Sequence, residues 1–497
     1  MIPALLLALA CGPEGDAAWT FPDQGPALRG PGAPDVEFSE DDLFETCAFL
    51  TGTALDIGHH NLLVPYGGHL VMPWAPEWGR TGGLSLFDMS DPCAPVRVGD
   101  AEEPTLRETH AMGFAHIPDG PYAGDWAVAN YLGSIDVGGV EFWDLGDPTA
   151  PRLASQLDLD GFLYPDAYAR VSLSVFWQYP YAFVAAAENG VFVVDATDPT
   201  APAVIAQYVF DNQLRAGQVS ALGGLLLVSA AEGSTAALLD VSVPDAPALM
   251  PGSPFQVVDR AGEPRDAYFA NLVGSWALFA RKEDGGGPIV MDLADPTRPA
   301  FLADLLVPGA SGGYVFYDEG FLFVGGSSAA QVVDARDLGN LRLVGEGHLP
   351  GDLDTITPYG NVALLSVDEA PEGAPFDPNA TAVMPWAETP DLNGPLVLQI
   401  EPRDGATGVP ITARIGVGFN EIIEPMSAYE GAIRLYDDAG EPVRGWTSAQ
   451  EAIASYAPRE PLLPDTTYRI EVAAGGVADP NGNTIRDAVT STFKTAP

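Results

Sequence analysis

Apolar and polar residues alternate in short runs along most of the chain, and no long stretch carries a helical period. In YAFVAAAENGVFVVD, from Tyr181, two runs rich in β-branched and aromatic residues flank a polar turn at Glu188, Asn189 and Gly190. This predicts a hairpin whose strands are buried on both faces. The second run ends in an aspartate and the breaker DPTAP, where proline fixes φ and lacks a donor while aspartate side chains bond amides just downstream. A further strand follows, AVIAQYVF from Ala203, and another opens the next unit, as in RVSLSVF from Arg170 or GQVSAL from Gly217. Each unit therefore predicts four short antiparallel strands.

The unit VFVVDATDPTAP, residues 191–202, recurs as LSLFDMSDPCAP from Leu84, VEFWDLGDPTAP from Val140, AALLDVSVPDAP from Ala236, PIVMDLADPTRP from Pro288 and, worn, AQVVDARDLGNL from Ala330. Its anchoring aspartates are Asp88, Asp144, Asp195, Asp240, Asp292 and Asp334. A period of about 40 to 50 residues marks stacked or radially arranged units, and four strands per unit describe a propeller blade. The repeats resemble those of LVIVD-repeat proteins, whose units carry the same apolar run ending in Asp, then DPxxP. The resemblance covers residues 45–392 and implies an all-β propeller. A seventh unit is legible from Tyr359, with an insertion between its strands, and ETCAFLTGTALD from Glu45 supplies the outer strand that unit lacks. Pairing the first strand with the last blade would close the ring without an open edge. Seven blades are expected, with six, eight or an open solenoid as the alternatives.

From Leu392 the rhythm changes, and alternating strands such as ITARIGVGFN and LLPDTTYRIEV predict a β-sandwich over residues 393–497. This segment resembles bacterial Ig-like domains of the S-layer-protein type. It carries their pattern at Pro402, Asp404 to Pro410, Phe419 to Glu421, Pro464 to Tyr468 and Asp479 to Asn483. The resemblance implies a spacer or adhesive module at a cell surface.

At the other end, MIPALLLALAC is an apolar run too short to span a bilayer, followed by a Gly/Pro/acidic segment, residues 12–44, that reads as a solvated tether. Residues 1–11 look like the end of a secretory signal. They resemble a bacterial lipoprotein signal, which implies lipidation of Cys11 and, with Gly12 following, sorting to the outer membrane. A periplasmic or secreted address is the alternative. A secreted address permits a disulfide between Cys47 and Cys93. Cys47 falls on the closing strand and Cys93 in the DPCAP turn of the next blade, however, and since neighbouring outer strands diverge, two packed thiols are expected.

Composition narrows the partners. The 497 residues hold 47% hydrophobic residues, 55 Gly and 46 Pro, which suits a turn-rich all-β chain of two or three domains. The net charge of −46, with Lys282 and Lys494 the only lysines, repels phosphates and anionic headgroups, so nucleic acid is not an expected partner and a membrane only through the lipid. Divalent cations or basic partners would be attracted instead.

Five of six histidines lie between His59 and His116. By blade alignment His60 and His110 open inner strands of neighbouring blades, beside Gln218, Asp266 and Asp354 of other blades, and such a ring could ligate a transition metal. No HxH or HxxxH pair marks ligand spacing, and the plainer account is polar residues lining a water-filled channel. The aspartates Asp91, Asp147, Asp198 and Asp295 are dispersed one per blade, as turn caps are, whereas calcium needs six or more oxygens about one centre. DPNGN, residues 479–483, looks like part of a calcium loop but is short of carboxylates, so a turn is expected there too. No nucleophile elbow, dinucleotide fingerprint or P-loop is present.

These features favour a monomeric cell-surface lipoprotein, a non-catalytic binding, adhesion or scaffold module that meets a protein or glycan of the envelope through loops at Ala75, at Ile117 and in the seventh unit. An extracytoplasmic metalloenzyme using His60 and His110 is the alternative, and a calcium-stabilised structural protein a third.

Overall fold

The computed structural model describes residues 36–53, 60–74, 82–103, 106, 109–132, 138–147, 149–159, 174–283, 285–327, 329–368, 380–429 and 431–497. The expected signal with Cys11, most of the tether, His59 and the loop residues 75–81 and 369–379 lie outside them.

Among the described residues the repeats build seven antiparallel sheets, blades 1 to 7, within residues 64–103, 112–158, 174–208, 216–256, 267–304, 315–347 and 352–385. First strands of blades 2 to 7 contact one another in succession, and in each blade the chain works outward from there. In blade 3, for instance, Ser174–Gln178, Tyr181–Ala185 and Val191–Asp195 are almost wholly buried, while the outer strand Ala203–Tyr208 is largely exposed. Continuous apolar runs make the inner strands because both of their faces pack on a neighbouring blade. Blade 7 has three strands of its own, and Ala48–Thr51 adds the fourth, with Ala48 opposite Val383 and Thr51 opposite Ala380. The ring is closed by the chain's own beginning, as the sequence predicts.

Aspartate writes the same turn into blades 1 to 6. The residue ending each of their third strands accepts the amide two positions on, from Ser90, Gly146, Thr197, Ser242, Ala294 and Arg336. Asp91, Asp147, Asp198 and Asp295 repeat the move one turn later, the capping role expected of them.

These turns also reach back onto the outer strand of the preceding blade. Ser155 of blade 2 donates to the carbonyl of Pro199 in the blade 3 turn, at 2.6 Å. Gly99 of blade 1 leaves room for the blade 2 turn, since a Cβ there would stand 2.0 Å from the Thr149 carbonyl oxygen. The same rule applied at the seam places the turn of blade 1, with Cys93, against the strand that Cys47 precedes. The two cysteines form a disulfide with Cα atoms 5.2 Å apart, which corrects the expectation of packed thiols. Outer strands do diverge, but the turn bridges the gap.

Residues 36–44, at the end of the expected tether, lie against blade 7. Asn361 Nδ2 donates to the Val36 carbonyl, and the Phe38 and Phe44 amides donate to the carbonyls of Glu388 and Pro385.

The C-terminal domain is a β-sandwich. Val397–Glu401, Ile415–Phe419, Ile453–Pro458 and Gly445–Gln450 form one sheet, and Ala406–Val409, Val489–Thr495, Thr467–Val472, Ile433–Tyr436 and Pro442–Val443 the other. Between them pack Ile415, Val417, Phe419, Leu435, Ile470, Val472 and Phe493. The domain is not a free spacer. Gly445–Gln450 pairs with Met112–Ile117, the innermost strand of blade 2, with Thr447 opposite His116 and Ala449 opposite Phe114. Sandwich and blade thereby share one eight-stranded sheet.

Candidate functional site

The propeller has two mouths, and the chain treats them differently. At the mouth where the inner strands begin, the residues expected to form a ring do not converge. His60 is buried, with Nδ1 3.0 Å from Oγ1 of Thr381 on the third strand of blade 7, so it points between blades. His110 is buried with its ring 5.7 Å from that of Phe269, and its carbonyl accepts from the Tyr314 hydroxyl at the start of blade 6. Gln218 is buried, Asp354 half-buried and Asp266 exposed. Beside His110 lie stacked rings, Phe269 on Tyr314 at 3.8 Å and Tyr268 against Phe269 at 4.1 Å. Among the described residues, His60 and His110 belong to no cluster of three metal-ligating side chains.

At the opposite mouth, where the inner hairpins turn, the Ig-like domain touches every blade. Glu424 accepts from the Gly67 and Gly68 amides of blade 1, at 2.8 and 3.4 Å. Blade 2 is joined by the shared sheet. In blade 3, Gln450 takes the Trp177 amide and donates to the Val175 carbonyl, while Ser448 takes the Tyr179 amide. Those are the free edge groups of an innermost strand, which would otherwise be buried without partners. Blade 4 is met by Gly416, whose Cβ, had it one, would stand 2.2 Å from the Gly223 nitrogen. In IGVGF the large side chains fill the sandwich and the intervening glycines admit the propeller. Leu398 packs on the Gly274 turn of blade 5, Asn420 accepts from the Glu319 amide of blade 6, and Asn481 lies on Gly360 of blade 7.

Side chains from this domain also enter the axis. Ile422 belongs to one buried cluster with Tyr268, Phe269, Tyr314 and Phe316, Ile453 to another with Val219 and Ala221, and Tyr429 to a third with Tyr66 and Phe114. Arg414 is buried against blades 3 and 4, hydrogen-bonded to Gln178 Oε1 and, at 2.6 Å, to the Val241 carbonyl, with its guanidinium 5.5 Å from the Tyr181 ring centre. Burial lowers its pKa to about 10. Burial raises Glu424 to about 7 against the three amides that hold it, and raises Glu451, which bonds Asn271, to about 7 as well.

Beside blade 6, Asp391, Glu421 and Asp479 bring carboxylate oxygens within 4.8 Å of one another. Sequence reading placed Glu421 and Asp479 in the Ig-like pattern without joining them and passed over Asp391, because nothing in their spacing reports that a linker, a strand end and a turn meet.

Comparison with known proteins agrees with this architecture. Residues 391–495 match the bacterial Ig-like domain family and residues 179–209 the LVIVD repeat family. No curated protein matches the chain. Among solved structures, the periplasmic gluconolactonase of Pseudomonas aeruginosa is similar at 16% identity, covering 67% of this chain and 98% of its own, with a TM-score of 0.45. A computationally designed protein, Ika8, is similar at 10% identity, covering 69% and 99%, with a TM-score of 0.43. At these identities nothing about activity carries over. Both matched domain types are typical of extracytoplasmic proteins, and no helix among the described residues is long and apolar enough to cross a membrane.

Proposed function

We propose that the chain is a non-catalytic binding module of the bacterial envelope that meets a protein or glycan with the propeller face opposite the Ig-like domain. The observation that carries this is the occupation of the other face, where one domain engages the inner hairpin turns of all seven blades. The N-terminal segment enters on that covered side, since Val36 accepts from Asn361 in the inner turn of blade 7. With a lipid on Cys11 the covered mouth faces the outer membrane and the open rim faces away. Loops on a rigid scaffold commonly carry recognition, and this rim is where hairpins such as that at Glu188 turn.

The test uses the full chain as bait in envelope extract and on a glycan array. Glu188→Lys with Glu232→Lys changes exposed charges on the open rim, and Asp438→Lys with Glu441→Lys changes exposed charges on the outer Ig-like hairpin. Capture lost in the first variant and kept in the second is the expected result. The reverse pattern refutes the reading.

A further inference from the structure

Five acids converge where blade 6 meets the Ig-like domain. Asp318 and Glu319 come from the inner turn of the blade, Asp391 from the linker, Glu421 from just beyond the strand Ile415–Phe419, and Asp479 from the DPNGN turn. The cluster is built from its backbone up. Asp479 Oδ1 accepts the amides of Asn481 and Asn483, both at 2.8 Å, and Asn483 Nδ2 bonds Asp479 Oδ2 at 2.8 Å and the Asp391 carbonyl at 3.1 Å. Asn481 Nδ2 stands 3.3 Å from Asp391 Oδ2. Those contacts fix the direction of the carboxylates and leave the centre of the group to the acids alone.

Two buried atoms there have no partner. Glu421 is 2% exposed, brings one carboxylate oxygen within 4.8 Å of those of Asp391 and Asp479, and its Oε1 meets no donor; the Oδ1 of Asn481, also 2% exposed, meets none either. A buried oxygen without a donor costs about 1–3 kcal/mol, more when charged. The charged groups acting on Asp318, Glu421 and Asp479 are other carboxylates, and among the described residues no arginine or lysine answers them.

We propose that this junction binds one calcium ion, with Asp391, Glu421 and Asp479 as core ligands, and with water and the Asn481 amide, turned over to present its oxygen, completing the shell. Calcium takes six to eight oxygens at about 2.3–2.6 Å, so ligands on opposite sides of the ion stand about 5 Å apart, the span of these three. The donors are all oxygen, without histidine or cysteine, which disfavours zinc and copper. A half-enclosed cage of protein oxygens also suits calcium over magnesium, which keeps several waters and a strict octahedron. Because the ligands belong to the linker and the sandwich while Asp318 and Glu319 face them from blade 6, the ion would clasp the two domains together. This inference is independent of what the open rim binds.

The experiment strips the full chain with chelator and titrates it with calcium chloride by calorimetry in physiological salt, where diffuse binding to an acidic surface is screened. One saturable site per chain is expected, with Tm raised by about 3–5 °C at a hundredfold excess over Kd. Glu421→Gln with Asp479→Asn should lose the site yet melt no lower than the stripped wild type, since it removes buried repulsion. If that pair does not fold, Glu421→Gln alone must lower affinity at least tenfold. Asp147→Asn with Asp295→Asn, two turn caps, should keep the site. Absence of a saturable site, survival of the site in the Glu421 variants, or equal affinity for magnesium would each overturn the proposal.

Discussion

The two mouths of this propeller are made from the same repeats and have opposite fates. At the covered mouth the edge groups of blade 3 find Gln450 and Ser448, Arg414 is walled in, and glycine at 416 lets two backbones meet. At the open mouth Glu188 and Arg215, exposed or half-exposed, stand 3.5 Å apart, and Glu232 lies 3.8 Å from Lys282. A polar group at the first mouth is held by partners that cannot be replaced by water, whereas at the second water is always available. Energetic sensitivity should therefore concentrate at the covered mouth, and freedom to vary at the open one.

The largest expected effect is on pH dependence. Burial raises Glu424 and Glu451 to about 7, and Glu141, buried in blade 2, to about 8. Each binds its proton more tightly folded than unfolded, so the stability it contributes is present below its ordinary value near 4.5 and is lost as pH rises through 7 to 8. Thermal melts in chelator should fall steadily from pH 5 to pH 8.5, and Glu424→Gln with Glu451→Gln should flatten that fall. A flat profile in the wild type would contradict these placements. Next in size is Arg414→Ala, which strands Gln178 Oε1 and the Val241 carbonyl and empties the space over Tyr181, for a loss of about 3–5 kcal/mol by denaturant titration. The smallest contrast sets one mouth directly against the other. Gln450→Ala should cost about 1–3 kcal/mol by unpairing the Trp177 amide and the Val175 carbonyl, while Glu188→Lys on the open rim should change stability by no more than about 0.5 kcal/mol. Equal costs would mean the covered mouth is not special.

Much of this was legible in the chain itself. The repeat declared the blades, and a seventh unit one strand short, set beside a spare strand at Ala48–Thr51, declared how the ring closes. The sandwich was equally plain from its turns. What escaped is whatever depends on one unit resting on another. Alternation in IGVGF reads the same whether its glycines face solvent or a neighbouring hairpin. The Cys47–Cys93 bridge follows from the turn of each blade leaning on the one before, a rule visible only once blades are side by side. His60 and His110 lie just ahead of the inner strands Val64–Tyr66 and Met112–Ile117, but such a position does not say whether a side chain points at the axis or into the seam, and His60 took the seam. Asp391, Glu421 and Asp479 come from three separate segments, and no local pattern joins them.

The pairing of Ala48 with Val383 also sets a schedule for biogenesis. The strand that completes the ring leaves the ribosome first, yet the partner it waits for emerges only after six other blades, and contacts so distant in sequence form late. Until then the strand Ala48–Thr51 and the side of blade 1 that packs on blade 7 stand bare, a state prone to pairing with other chains. A nascent chain halted before residue 380 should therefore depend on a holding chaperone, and release of that dependence should coincide with synthesis of the last blade.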